Sequence, residues 1–338
     1  MTVDLTTEVD DLQTPAIPTV DVLENCVRTA MLAPSLHNSQ PWLFRIGDGT
    51  VDVYADPDRR LDVLDPVGRE LMISVGAAVF TLRVSLHAAG YLPSVAIFPA
   101  EDDPVLVARV STTGQAAADP MIERLAAAVP HRHTNRSPFA GTAIPDAAIE
   151  SMVEAAAEEN ARLVLADPAS RDEILALSQE ADRRLRAAEG YEQELARWTT
   201  QRIRRHDGVP PTATGPWDAM ESMPIRDFGQ LQSHLPRPTD EFEPHPTIMV
   251  LSTFGDDRTA WVTAGQALQR VLLTATWQNL ATTPICQSVE VPEVRERLTD
   301  TSAGVWAQMV LRVGYGPATT ATPRRLLADV LLPDSVCT

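Results

Sequence analysis

The sequence contains no lysine, so all 28 of its strongly basic residues are arginine. Acidic residues outnumber them at 46, and the 338-residue chain carries a formal charge of −18. Nucleic-acid surfaces depend on surplus positive charge, so no nucleic-acid partner is expected. Any anion site must be built from arginine, histidine or backbone N–H groups. Cysteine is scarce as well. Cys26, Cys286 and Cys337 are far apart, odd in number and outside any CxxC pair, which argues against a disulfide framework or a structural zinc; no metal is expected. No apolar run approaches the roughly 18 residues of a membrane span. Residues 1–11 are acidic and lack the basic start and apolar block of a signal peptide. A cytoplasmic protein without a membrane partner is the expectation. GxGxxG, GxxxxGK[ST] and GxSxG are all absent, which weakens dinucleotide, P-loop and serine-hydrolase readings.

What remains is an ordinary globular composition, 44% hydrophobic and 22% charged, enough for two domains or one large one. Residues 1–18 read as a mobile acidic leader. Thr19 can cap a helix over 19–31 whose apolar positions share one face, and Ala33-Pro34 ends it. Strands at 42–46 and 51–54 flank a Gly-Asp-Gly turn, and a long helix from about Leu71 stops at Gly90. Strands are expected at 94–98 and 105–110, then a helix over 146–157, a strand over 162–166 and a helix over 170–188. Residues 203–246 are proline-rich and too long for a plain connection, so they read as a functional flap or as disorder. A strand at 247–253, a long helix over 258–280 and a strand at 305–313 follow. The two long helices resemble each other around Gly76 and Gly265, 189 residues apart, which suggests two copies of one α+β unit.

Four segments could carry chemistry. The polar loop at 34–42, Pro-Ser-Leu-His-Asn-Ser-Gln-Pro-Trp, can hold a ligand rich in acceptors or be a plain polar connector. His131-Arg132-His133-Thr134-Asn135-Arg136 suits a phosphate, or is a solvated basic turn. Pro323-Arg324-Arg325 is a second arm on the same anion or an exposed basic pair. Cys286, in Thr283-Pro284-Ile285-Cys286-Gln287, is more commonly a buried inert thiol than a nucleophile.

Together these segments resemble the FMN-dependent nitroreductase superfamily. Residues 34–42 resemble its PSxxNxQPW loop, 132–136 with Phe139 its phosphate-binding signature, 265–284 its central helix and Pro323-Arg324-Arg325-Leu326 its basic tail. The likeness covers about residues 19–332. In an ordinary member the basic signature precedes the loop; here the loop comes first, and each copy retains only part of a site. That order, with Asp207-Gly208-Val209-Pro210, is most similar to the Acg-like subfamily.

The resemblance implies an α+β nitroreductase-like fold with two halves, 19–120 and 121–332, fused as an intramolecular pseudo-dimer of mixed or antiparallel sheets flanked by helices. It implies one FMN per chain in a monomeric pseudo-dimer or weak homodimer. Arg132, Thr134 and Arg136 would grip the phosphate and ribityl chain, closed over by Arg324 and Arg325. Pro34, Ser35, Leu36 and Asn38 would touch the flavin from the other half, with backbone groups of Cys286 and Gln287 near N5. Catalysis would need no protein acid or base, since the chemistry is the cofactor's. Two departures stand out: Cys-Gln where many members have Glu-Gly, and a 190–246 insertion resembling a lid. The implied activity is NAD(P)H-dependent reduction of a small nitro or quinone acceptor. The competing reading is a non-catalytic protein that stores flavin under stress.

Overall fold

A computed structural model describes residues 17–199, 205–218, 220–229 and 237–333. Most of the expected leader, part of the expected lid and Cys337 lie outside the described residues.

The chain begins with α1 (Val20–Ala30), capped by the Thr19 hydroxyl, which accepts from the Val22 N–H at 3.4 Å. The hairpin β1 (Trp42–Gly47) and β2 (Thr50–Ala55) leads to α2 (Arg69–Ala88), β3 (Tyr91–Ile97) and β4 (Leu106–Gln115). These four strands form an antiparallel sheet in the order β1-β2-β4-β3. After α3 (Pro120–Ala128) come α4 (Asp146–Ala157), β5 (Ala161–Leu165), α5 (Pro168–Arg186) and α6 (Tyr191–Trp198). The flap beyond them carries a two-residue parallel pair, β6 (Trp217–Asp218) and β7 (Thr239–Asp240). Then follow β8 (Thr247–Phe254), α7 (Arg258–Trp277), β9 (Ala281–Pro284), the short α8 (Gln287–Glu290) and α9 (Pro292–Arg295), and β10 (Val305–Gly314). The second sheet, β5-β8-β10-β9, is also antiparallel.

The two sheets share one topology. In each, a helix precedes the first strand, a 20-residue helix joins the second and third strands, and the last strand inserts beside the second. The resemblance between 69–88 and 258–277 is thus matched by equivalent places in the architecture. The difference lies between the first two strands. A tight turn joins β1 to β2, whereas α5, α6 and the flap separate β5 from β8. Each sheet buries its own apolar core against its helices, and α2 and α7 each lend a residue to the other's core, Ile73 and Val262. The tail crosses back to the first sheet: Phe44 N–H donates to Val330 O, and Leu332 N–H to Phe44 O, both at 2.7 Å.

Four helices escape the sequence reading: α3, α6 and the four-residue α8 and α9. α3 was announced by Asp119-Pro120, since the Asp119 carboxylate accepts from the Met121 and Ile122 N–H groups at 2.8 and 2.9 Å. α6 is short and lies within the charged 190s. The reading that no stretch approaches a membrane span needs one correction. Among the described residues, α2 alone is long and apolar enough, but most of it is buried inside the protein, as befits the central helix of a core.

Candidate functional site

A cavity of about 810 Å³, counted with its open mouth, lies where α2 and α7 meet. Five segments far apart in sequence converge on it. Pro34, Ser35, Leu36 and His37 come from the loop after α1; Glu70 and Ser74 from α2; Thr134 and Arg136 from the segment after α3; Cys286, Gln287 and Glu290 from around α8; Ile225, Arg226 and Phe228 from the flap. Of the residues expected at the site, Pro34, Ser35, Leu36, Thr134, Arg136, Cys286 and Gln287 line this space. Asn38, Arg132, Arg324 and Arg325 do not.

The loop at 34–42 explains part of that division. His37, Asn38 and Gln40 all take positive φ, at 50°, 55° and 51°, a strained backbone for residues with a Cβ. The strain is held by hydrogen bonds. Ser35 Oγ accepts from the Gln40 N–H at 2.9 Å, and Ser74 Oγ from the Leu36 N–H at 3.2 Å. The Asn38 amide donates to Gly208 O at 2.9 Å and Pro323 O at 3.0 Å, and Gln40 donates to His206 O at 2.9 Å. The polar side chains of this loop therefore clamp the flap and the C-terminal tail. Asn38, expected against the flavin, serves that clamp, because its buried amide is already satisfied by the two carbonyls.

Arg132 and Arg324 stand together just beyond Pro34. Both donate to Leu32 O, at 3.3 and 3.1 Å, and Arg324 also donates to Asn38 Oδ1 at 3.1 Å. The Nε atom of each is buried with no hydrogen-bond partner. Neither has an acidic partner among the described residues. Burial, with Arg324 beside it, lowers the pKa of Arg132 to about 9; burial lowers that of Arg324 to about 10. The neighbouring His133 is depressed to about 4 by burial and by the same cations. Two buried, like-charged guanidiniums with unused donors are unfavourable alone and favourable around an anion. Arg325 is different. It faces Asp56 at 3.5 Å and donates to Gln40 O and Asp329 O at 3.2 and 2.6 Å, so its charge is already spent on the fold.

Ile225, Arg226 and Phe228 bring the flap to one wall of the cavity. Phe228 is buried, meets the His37 ring edge-on at 4.8 Å and lies under the Arg136 guanidinium, 4.8 Å from its ring centre. Arg136 also donates to Ala213 O at 2.8 Å. Arg226 pairs with Glu290 and sits 3.2 Å from His37 Nε2. Gln287, expected at the flavin through its backbone, donates its side-chain amide to Pro224 O at 3.1 Å. Burial and the two arginines hold His37 well below its ordinary pKa, so it is neutral at pH 7.

Sequence reasoning missed the two carboxylates at the floor of the cavity, beside the expected Cys286. Glu70, Cys286 and Glu290 each bring a donor atom within 4.8 Å of the others. Burial first, then the neighbouring Glu290, raises the Glu70 pKa to about 8. Burial and the two carboxylates push the Cys286 thiol far up, which makes it an inert thiol. A signal existed: Glu70 opens an otherwise apolar helix, and Glu290 stands between two valines.

No family model matches the chain. It is similar to curated proteins of Mycobacterium tuberculosis strain H37Rv. One, provisionally named NAD(P)H nitroreductase Rv3131, is 32% identical over 325 residues, spanning 93% of this chain and 92% of its own. Another, provisionally named NAD(P)H nitroreductase acg, is 33% identical over 326 residues, spanning 92% of this chain and 96% of its own. Among solved structures, the nitroreductase-like family protein from Bacillus cereus aligns with 62% of this chain and 96% of its own, at 15% identity and a TM-score of 0.39.

Proposed function

The chain belongs to the nitroreductase superfamily, among its Acg-like members, and from that premise we propose that it binds one FMN and passes hydride from NAD(P)H to a small nitro or quinone acceptor. The observation that carries this reading is the Arg132–Arg324 pair, whose buried Nε atoms have no partner. A phosphate monoester is the anion that suits it, because two guanidinium forks match its oxygens. Thr134 and Arg136, lining the adjacent cavity, suit the ribityl chain. Pro34, Ser35 and Leu36 on one side, with the backbone at Cys286 and Gln287 on the other, form the walls for the ring system. FMN supplies the hydride chemistry when bound; these residues bind it, orient it and limit water.

One site per chain follows from the unequal halves. The connection from α1 to β1 is the polar loop, whereas that from α4 to β5 is only residues 158–160. In this short turn Glu159 pairs with Arg83 at 2.6 Å and Arg270 at 3.1 Å, placing a carboxylate where the other half offers the loop. We read the chain as a fused pseudo-dimer with one surviving site. Purified protein should be yellow with about one FMN per chain. Two FMN per chain would refute the unequal-halves reading. A colourless chain that FMN cannot reconstitute would refute the cofactor itself.

A second reading, flavin storage, is favoured by the flap, since Ile225, Arg226 and Phe228 form a wall of the cavity. Steady-state oxidation of NADH and NADPH with menadione separates the two. Turnover above that of free FMN supports the reductase; turnover at or below it supports storage.

A further inference from the structure

A cavity that handles hydride must also handle protons, because a quinone becomes a hydroquinone by taking one hydride and one proton. The carboxylates of Glu70 and Glu290 meet at its floor, within 4.8 Å of each other and of the Cys286 thiol. Arg69 donates to Glu70 at 2.8 Å, and Arg226 pairs with Glu290. Asp65 stands at the start of α2, where it accepts from the Leu71 N–H at 2.8 Å; Tyr191 of α6 faces Arg226 and Glu290; His37 touches Arg226 and is neutral. Three carboxylates thus face Arg69 and Arg226, while Arg136 lines the same cavity and lies near Cys286 and Arg226. Glu290 Oε1 is buried with no hydrogen-bond donor, as fits a group that does not carry full charge. Glu290 also has a second face. It lines the cavity and, with Arg69, Asp256, Trp261 and Trp306, a separate surface groove bordered by the exposed Val67.

We propose that Glu70 and Glu290 form a proton relay in which Glu70 protonates the acceptor in the cavity and Glu290 refills it from the groove. The inference rests on the flavin reading for its substrate. A dihydronicotinamide supplies the hydride. The O–H bond of the Glu70 carboxyl breaks as the product O–H bond forms, and the carboxylate left behind regains a proton from groove water through Glu290. Burial and Glu290 keep Glu70 protonated at neutral pH, in support of that role.

The test uses the full chain as purified and has two readouts. Infrared titration in H₂O and D₂O reads the C=O stretch of a protonated carboxyl. Wild type should hold that band at pH 7 and lose it across a midpoint of about 8, and Glu70→Gln should lack it. No such band in wild type, or the same band in Glu70→Gln, overturns the relay. If Glu70→Gln does not fold, Glu290→Gln replaces it and should move the midpoint down, because it removes the neighbouring negative charge; an unmoved midpoint counts against the pair. In FMN-loaded protein, Glu70→Gln should slow menadione reduction roughly a hundredfold while the reduction of flavin by NADH keeps its wild-type rate; equal slowing of both steps points to a structural role and overturns the relay. A chain without flavin defeats the FMN reading alone, since the infrared band reports on Glu70 regardless.

Discussion

Gly76 of α2 and Gly265 of α7 face each other where the two helices cross: a Cβ placed on Gly265 would stand 2.8 Å from the Gly76 Cα. These are the same two glycines that align when the sequence is compared with itself. Equivalent residues of a twofold pair meet only near the axis. On the pseudo-dimer reading proposed above, their contact marks the pseudo-axis between the two sheet-and-helix units, and residues of both helices line the cavity.

Alanine at either position should destabilise the protein. A Cβ on Gly76 would lie 2.3 Å from Val262 O, and one on Gly265 would lie 2.0 Å from Ile73 O. Both obstacles are helix backbone, which cannot swing aside as a side chain can. Overpacking of this kind costs about 1–3 kcal/mol, partly offset by the better helix propensity of alanine, about 1 kcal/mol. Urea unfolding of Gly76→Ala should show a lower midpoint. An unchanged or raised midpoint would mean the helices are not in backbone contact here.

The repeat was legible because the helix-to-helix contact demands small residues at matched positions. The cation cluster was legible because basic residues stand out in an acidic chain. The roles of individual polar residues were not. Asn38 and Arg325 sit in the expected motifs, yet their donors go to Gly208, Pro323, Gln40 and Asp329, partners distant in sequence or fixed only by the folded tail. The Glu70–Glu290 pair was invisible for the same reason: 220 residues separate two ordinary glutamates. Only the packing of α8 against the start of α2 turns them into a coupled buried pair.

Arg132→Ala should weaken FMN binding far more than Arg325→Ala. Arg132 has unused buried donors, so its removal deletes a charge-assisted contact worth about 1.5–3 kcal/mol, roughly ten- to hundredfold in Kd. Arg325 is committed to Asp56 and backbone carbonyls, so its loss should lower the melting temperature before it changes affinity. Flavin fluorescence titration, with thermal melts alongside, checks both. Equal losses of affinity would place Arg325 on the phosphate after all.

Stability should fall as pH rises from about 6.5 to 8. The unfolded Glu70 releases its proton near 4.5, whereas the folded one holds it to about 8. Between those values the unfolded state binds fewer protons, so each step up in pH favours unfolding. His133 works in the opposite sense over a lower window, because its folded pKa of about 4 lies below the ordinary 6.5 and stability is gained as pH rises between them. Urea midpoints at fixed pH should therefore decline from pH 6.5 to 8 in wild type and decline less in Glu70→Gln. The same slope in both would assign the titration to another group.

Phe228→Ala should open the cavity and raise turnover with menadione. Phe228 is the flap's apolar anchor, buried between the His37 edge and the Arg136 guanidinium. Truncation removes both contacts, each worth about 0.5–1.5 kcal/mol, while the ties from Asn38, Gln40 and Gln287 to the flap backbone remain. The flap should stay tethered but admit larger acceptors. Arg136 loses its aromatic cover, so FMN should bind somewhat more weakly. Met220→Ala is the control, because Met220 is 77% exposed on the same segment and should change neither quantity. If menadione turnover stays at the free-FMN level in Phe228→Ala although flavin is bound, the flap is not what holds the acceptor out. The restriction would then lie in the floor and walls of the cavity, where Cys286, Glu70 and Glu290 stand.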